Sequence, residues 1–247
     1  MSVEEQYTSE VRRELGYLAA WLPTTPLSLG DYGYLDGATF RREGNISVFG
    51  VDYEPLGAGV SADIRYQSSK GVDLTFQGKA DGQIIPDIPA GHAGVKIAFS
   101  KDSAVVLVTD DASEQPFSDV ASVQTQILAL EDPKALHEKV VISSIVTAEG
   151  TSVLVSRSST GELTVGAKAD LSGLGDLAKA SVDLKVRRER EMSTTILAQP
   201  GLTPLLRAFR VRRWGFQGPG FQPEGVAAGP VQQEDAGFEW LSEPMTA

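Results

Sequence analysis

VSADIRYQSSKGVDLTFQGKADG, residues 60–82, alternates apolar and polar side chains almost without interruption. Val60, Ala62, Ile64 and Tyr66 fall on one side, and Ser61, Asp63, Arg65 and Gln67 on the other, because successive strand side chains point to opposite faces. After Ser68-Ser69-Lys70-Gly71, Val72, Leu74, Phe76 and Ala80 alternate with Asp73, Thr75, Gln77 and Lys79. Small polar residues ending in glycine are the turn chemistry of hairpins, so the spacing predicts an amphipathic β-hairpin. Each arm approaches the ~9–11 residues with which a tilted strand crosses a bilayer. A soluble sheet with one face on a core and one in water carries the same alternation.

Residues 151–171 repeat the pattern. Val153 and Val155 lead through Ser158-Ser159-Thr160-Gly161 into Leu163, Val165, Ala167, Ala169 and Leu171, alternating with Glu162, Thr164, Lys168 and Asp170. A second amphipathic hairpin is therefore expected.

At 247 residues and 41% hydrophobic content, the chain can bury a large core. One α+β domain over residues 1–214 is expected, built on a twisted, mainly antiparallel sheet with a few packed helices. A linker and extended C-terminal tail would occupy 215–247. There is no cysteine, which excludes disulfides, thiolate metal sites and cysteine nucleophiles. The two histidines, His92 and His137, stand in no metal-ligand spacing. Gly57-Ala58-Gly59 precedes a strand rather than a helix, so it is not a dinucleotide loop. Asp110, Asp111 and Glu114 lack the ligand pattern and central glycine of a calcium loop. No cofactor, metal or catalytic residue is expected, and the chain is read as no enzyme. A Ser/His/Asp arrangement through either histidine stays open.

The acidic start MSVEEQYTSEVRREL is not a secretory signal, and no apolar run reaches the ~18 residues of a spanning helix. A cytoplasmic protein is expected. A net charge of −11 argues against nucleic-acid binding, but the charge is uneven. Lys185, Arg187, Arg188, Arg190, Arg207, Arg210, Arg212 and Arg213 face only Glu189 and Glu191 within residues 185–213. Beyond them the acids Glu224, Glu234, Asp235, Glu239 and Glu243 stand without any Lys or Arg. A basic segment precedes an acidic tail that ends in the apolar clip Phe238, Trp240 and Leu241.

Elsewhere, Val3, Tyr7, Val11 and Leu15 recur at helical spacing and Gly16 follows them, predicting an N-terminal helix. Residues 27–54 read as a meander of short strands. Ser118-Asp119 caps a helix through Val120, Val123, Ile127 and Leu128. VVISSIV, residues 140–146, reads as a central strand, residues 181–192 as a strand with one basic face, and 194–198 and 205–211 as closing strands. The Gly/Pro/Gln-rich residues 215–237 read as a linker.

This order of parts resembles the pore-forming core of gasdermins, in the bacterial branch where a short tail replaces the large inhibitory domain. The resemblance spans residues 5–213 as an order of elements. It implies an autoinhibited effector of bacterial cell death and antiphage defence, with an activating protease, membrane lipids and further copies of itself as partners. It would be cytoplasmic when inactive and at the inner membrane afterwards. The inserting hairpins would use Val60, Ala62, Ile64, Tyr66, Val72, Leu74, Phe76, Val153, Val155, Leu163, Val165 and Ala167. Anionic lipid would meet Lys185, Arg187, Arg188, Arg190, Arg210, Arg212 and Arg213, and Phe238, Trp240 and Leu241 would anchor the tail. Bacterial gasdermins carry a lipidated cysteine near the start, which this chain lacks. Tyr17-Leu18-Ala19-Ala20-Trp21 would then serve as an apolar foot. A soluble α+β binding or scaffold protein, with both hairpins as ordinary sheet edges, is the alternative.

Overall fold

Helix α1, Val3–Leu15, is defined at both ends by its own sequence. Ser2 accepts from the Glu5 N–H while Glu5 accepts from the Ser2 N–H, and Gly16 closes the helix at φ 70°, the reciprocal cap and left-handed stop expected of these residues. Its apolar stripe buries Tyr7 and Val11. The computed structural model describes residues 2–22, 24–79, 84–130, 132–179, 181–212 and 238–241.

Strands β1 (Leu18–Ala19), β2 (Asp31–Asp36) and β3 (Thr39–Asn45) follow α1. After an extended stretch come β4 (Arg65–Gln67), β5 (Val72–Gln77), β6 (Ala93–Phe99), β7 (Val105–Asp110) and β8 (Ser113–Pro116). Asp119 caps helix α2, Val120–Leu128, by accepting from the Ser122 N–H at 2.9 Å. The remaining strands are β9 (Val140–Thr147), β10 (Gly150–Ser156), β11 (Glu162–Ala167), β12 (Leu184–Arg190), β13 (Met192–Gln199), β14 (Leu205–Val211) and β15 (Phe238–Trp240).

The architecture is α+β and its strand pairings are antiparallel, but the described residues form three sheets where one is expected. The first runs β1-β14-β9-β2-β3, with β15 also beside β14 and β8 beside β9. VVISSIV is its middle strand, buried from Val140 to Val146. A strand buried on both faces reads as a mainly apolar run, broken here by the buried Ser143 and Ser144. The other two sheets run β13-β10-β7-β4 and β12-β11-β6-β5.

These two four-stranded sheets pack face to face. Val106, Val108 and Leu154 of one share a core with Val95, Ile97, Leu163 and Val165 of the other. Beyond β11 the chain turns back, so that the Ser152 hydroxyl donates to the Leu177 carbonyl across the layer. On the far side of β7 and β10, Val105, Leu107, Val153 and Val155 pack with Tyr7 and Val11 of α1.

Neither expected hairpin exists. β4 pairs with β7 while β5 pairs with β6, and β10 pairs with β7 and β13 while β11 pairs with β6 and β12. Each Ser-Ser-x-Gly segment crosses from one sheet to the other instead of closing a pair. Alternation reports which face of a strand is apolar and is silent about which strand lies beside it. The apolar foot is also corrected: Leu18, Ala19 and Ala20 are buried, β1 pairs with β14, and the Trp21 ring lies 5.5 Å from that of Tyr7.

Candidate membrane-active ribbon and tail contact

The two packed sheets carry the same four stretches of chain in the same order. Residues 65–77 supply β4 and β5, 93–110 supply β6 and β7, 150–167 supply β10 and β11, and 184–199 supply β12 and β13. Gln67 faces Val106 on one side of the break and Val72 faces Phe99 on the other. In the same way Val155 faces Val105 and Glu162 faces Ala98, and Ser156 faces Met192 while Glu162 faces Arg190. The sandwich is therefore one four-stranded antiparallel ribbon folded across a line of four short breaks.

Hydrogen bonds carry the ladder through the fold line. The Ser68 hydroxyl accepts from the Val105 N–H at 2.8 Å, and the Ser156 hydroxyl accepts from the Ala104 N–H at 3.0 Å. Ser156 also donates to the Lys101 carbonyl at 2.9 Å. Ser100 N–H reaches Gly71 O at 3.0 Å, Phe99 N–H reaches Gly161 O at 2.8 Å, and Arg157 N–H reaches Glu191 O at 2.7 Å. Gly71 sits at φ 102° with Lys101 so close that a Cβ would lie 2.7 Å from the lysine Cβ, so glycine is required there. Helix α1 is fastened to the same line, because Tyr66 and Ser68 both donate to the Glu10 carboxylate, at 2.6 and 2.5 Å. Burial and then this bond to Glu10 push the Tyr66 phenol pKa up.

The inner face of the ribbon carries an apolar core: Val72, Leu74, Phe76, Val95, Ile97, Phe99, Leu163, Val165, Ala167 and Leu184 meet Val106, Val108 and Leu154. The outer face of the β12-β11-β6-β5 sheet carries charge, with Lys96 pairing to Glu162 at 2.9 Å and Arg188 to Glu162 at 3.3 Å. The expected inserting residues do not form one stripe. Ile64, Tyr66, Val153 and Val155 face α1, whereas Val72, Leu74, Phe76, Leu163, Val165 and Ala167 face the sandwich interior. Val60 is 98% exposed, and Ala62 makes an isolated bridge to Ala112. Residues 95–99 read in the sequence as a buried strand, and β6 is one; Val95, Ile97 and Phe99 face the same interior without having been counted among the inserting residues, although Val95-Lys96-Ile97-Ala98-Phe99 carries the same alternation.

The basic residues divide between two places. Lys185, Arg187, Arg188 and Arg190 are exposed on β12, the outermost strand of its sheet. Lys185 pairs in register with Gly166 and Arg190 with Glu162. A Cβ on Gly166 would lie 3.1 Å from the Arg187 Nε, which puts Arg187 over the outer face. Arg210 and Arg212 lie instead beside the tail, 3.5 and 3.4 Å from Glu239. Arg213 lies outside the described residues.

The tail clip is a strand. β15 pairs with β14 through Phe209–Trp240, Arg210–Glu239 and Val211–Phe238, occupying the part of the β14 edge that β1 leaves open. The Phe238 ring stands edge-on to Phe209 with centroids 5.1 Å apart, and Leu241 is buried against Leu206 and Ala208. The Trp240 side chain, the expected boundary at 214/215 and the linker lie outside the described residues.

Other polar clusters have structural duties. Glu114 accepts from Tyr17 at 2.7 Å, Ser144 at 2.7 Å and Arg207 at 2.9 Å, tying β8, β9 and β14 together. Burial opposes ionisation of Asp176, but hydrogen bonds from Lys179, Ser172 and Gly173 outweigh it and hold the pKa at about 2. Among the described residues no group of three His, Asp or Glu is placed to hold a metal, and no helix is long and apolar enough to cross a membrane.

No protein-family model and no curated protein matches the chain. Among solved structures it is similar to the cryo-EM structure of the Gasdermin A3 membrane pore, at 13% identity over 87% of this chain and 92% of that one, with a TM-score of 0.33. The likeness is remote.

Proposed function

We propose that this chain is an autoinhibited pore-forming effector that works without catalysis or cofactor. The observation that carries the reading is the folded ribbon. Straightened at its four breaks, it becomes four antiparallel stretches, 65–77, 93–110, 150–167 and 184–199, each longer than the ~9–11 residues that span a bilayer as a strand. Its β5-β6 and β11-β12 half already has one apolar and one charged face, the division a membrane barrel needs between lipid and water. The inserting pairs on this reading are β5 with β6 and β11 with β12.

The remaining parts fit the same cycle. In the cytoplasm, β15 closes the β14 edge and Glu239 pairs with Arg210 and Arg212. A protease cutting between Gly218 and Asp235 frees that edge. The exposed cations of β12 recruit the protein to an anionic inner membrane, where each contributes about 1 kcal/mol. Further copies then assemble beside it and the cell is permeabilised, as antiphage defence by cell death requires.

Because the chain has no cysteine, single cysteines can carry an environment-sensitive dye on the half-exposed strand β5. After cleavage on vesicles containing phosphatidylglycerol, dyes at Leu74 and Phe76 should report lipid, and dyes at Asp73 and Thr75 should report water. A uniform aqueous signal with sealed vesicles would overturn the reading.

A further inference from the structure

Residues 85–92, which lead into β6, fold back over the outer face of the sheet. Ile85 and Ile88 are buried there. Gln77 clamps both ends of the fold, its amide nitrogen donating to the His92 carbonyl at 3.1 Å and its amide oxygen accepting from the Ile85 N–H. Ile88 lies over two glycines that face each other across neighbouring strands, Gly94 of β6 and Gly166 of β11. A Cβ on Gly94 would stand 2.6 Å from the Ile88 Cγ1, and one on Gly166 3.2 Å from its Cδ1. Glycine weakens a strand, and within one it marks a place where another group comes close. Here both glycines make room for one isoleucine. Next to it, Asp87 pairs with Arg188 of β12 at 3.6 Å. The connector of the first strand pair thus reaches across onto both strands of the second.

We propose that residues 85–92 are a latch that fastens the two strand pairs together in the folded ribbon, with Ile88 as its bolt and Gly94 and Gly166 as its keeper. The functional consequence rests on the pore reading: the β5–β6 connector is the tip of the first inserting pair, so it must leave this notch before the pair can enter a membrane. Release of Ile88 is then the opening step, and it frees β11 and β12 together with the tip. The latch lies on the opposite side of the sandwich from α1 and on a different sheet from the tail strand, so it resists opening even when the tail is gone.

Amide hydrogen exchange of the full-length soluble protein tests the latch directly. Ile88→Ala should raise exchange of residues 84–92 and also of β11 by roughly thirtyfold or more, as for a buried large-to-small change seen through local opening. β9 and β14 should be unchanged. Gln77→Ala, which removes the clamp and leaves Ile88 intact, should reproduce the pattern. Gly94→Ala, whose Cβ would stand where the isoleucine sits, should do so as well, and adding Ile88→Ala to it should raise exchange little further because the bolt is already out. Faster exchange confined to the connector, with β11 as protected as in the parent, would overturn the latch. A second arm uses the same full-length variants with a specific protease site placed between Gly218 and Asp235, cut in the presence of phosphatidylglycerol vesicles; the Ile88→Ala protein should release dye after a shorter lag. If β11 exchange rises and the vesicles stay sealed, the latch stands and the pore reading falls. If β11 exchange does not move, the latch falls whatever the vesicles do.

Discussion

Ser68 and Ser156 are small residues with a large role, because each is buried and each satisfies a backbone N–H where the ladder crosses the fold line. A buried donor left without its acceptor costs ~1–3 kcal/mol. Ser68→Ala and Ser156→Ala should therefore each lower the unfolding free energy by about that amount in a denaturant titration. An exposed serine such as Ser158 should tolerate the same change. Asp176 offers a pH-dependent counterpart. Its folded pKa of about 2 lies below the ~3.9 of an unfolded aspartate, so its contribution is complete above pH ~4 and is lost as pH falls toward 2. Asp176→Asn should lower stability at neutral pH and flatten the acid dependence between those values, measured as unfolding midpoint against pH. An unchanged slope in that window would remove Asp176 from the account.

At the scale of elements, β12 separates folding from surface chemistry. Lys185, Arg187 and Arg190 are exposed, so reversing all three to Glu should leave the thermal midpoint close to that of the parent. The same change should weaken binding to phosphatidylglycerol vesicles by roughly 1 kcal/mol or more per residue. The difference between parent and variant should shrink at high salt, where the screening length falls to ~3 Å. Equal binding of the two proteins to anionic vesicles at low salt would show that β12 is an ordinary solvated edge.

For the molecule as a whole, the tail contact is the point at which stability and function meet. The two ion pairs of Glu239 are partly exposed, and such pairs contribute ~0–1 kcal/mol. The buried Leu241 side chain contributes roughly 1.5–3 kcal/mol. Leu241→Asp should therefore undock the tail more completely than Glu239→Lys, and only the Glu239 effect should fade with salt. Both can be read as proteolytic accessibility of the C-terminal segment and as vesicle leakage by the uncut chain. Leakage that is absent from both variants and also from a chain ending before Gly220 would end the autoinhibition hypothesis.

Local chemistry was legible in the sequence wherever neighbours along the chain decide the outcome. The Gly16 stop of α1, the Asp119 cap of α2, the largely apolar run of β9 and the apolar faces of β5 and β11 all follow from spacing. The folded ribbon does not. Four residues such as Ser68-Ser69-Lys70-Gly71 can close a hairpin or carry the chain from one sheet to the next, and what decides is which distant strand supplies the hydrogen bonds, here β7 and β6 rather than β5 and β4. Likewise the sequence marked Phe238 and Leu241 as an apolar clip, but their place depends on the edge of β14 at Phe209–Val211, which β1, paired with Leu205 and Leu206, leaves uncovered. Alternation is a local signal of sidedness. Strand partnership is a long-range choice made by packing, and that is why it belonged to the tertiary structure alone.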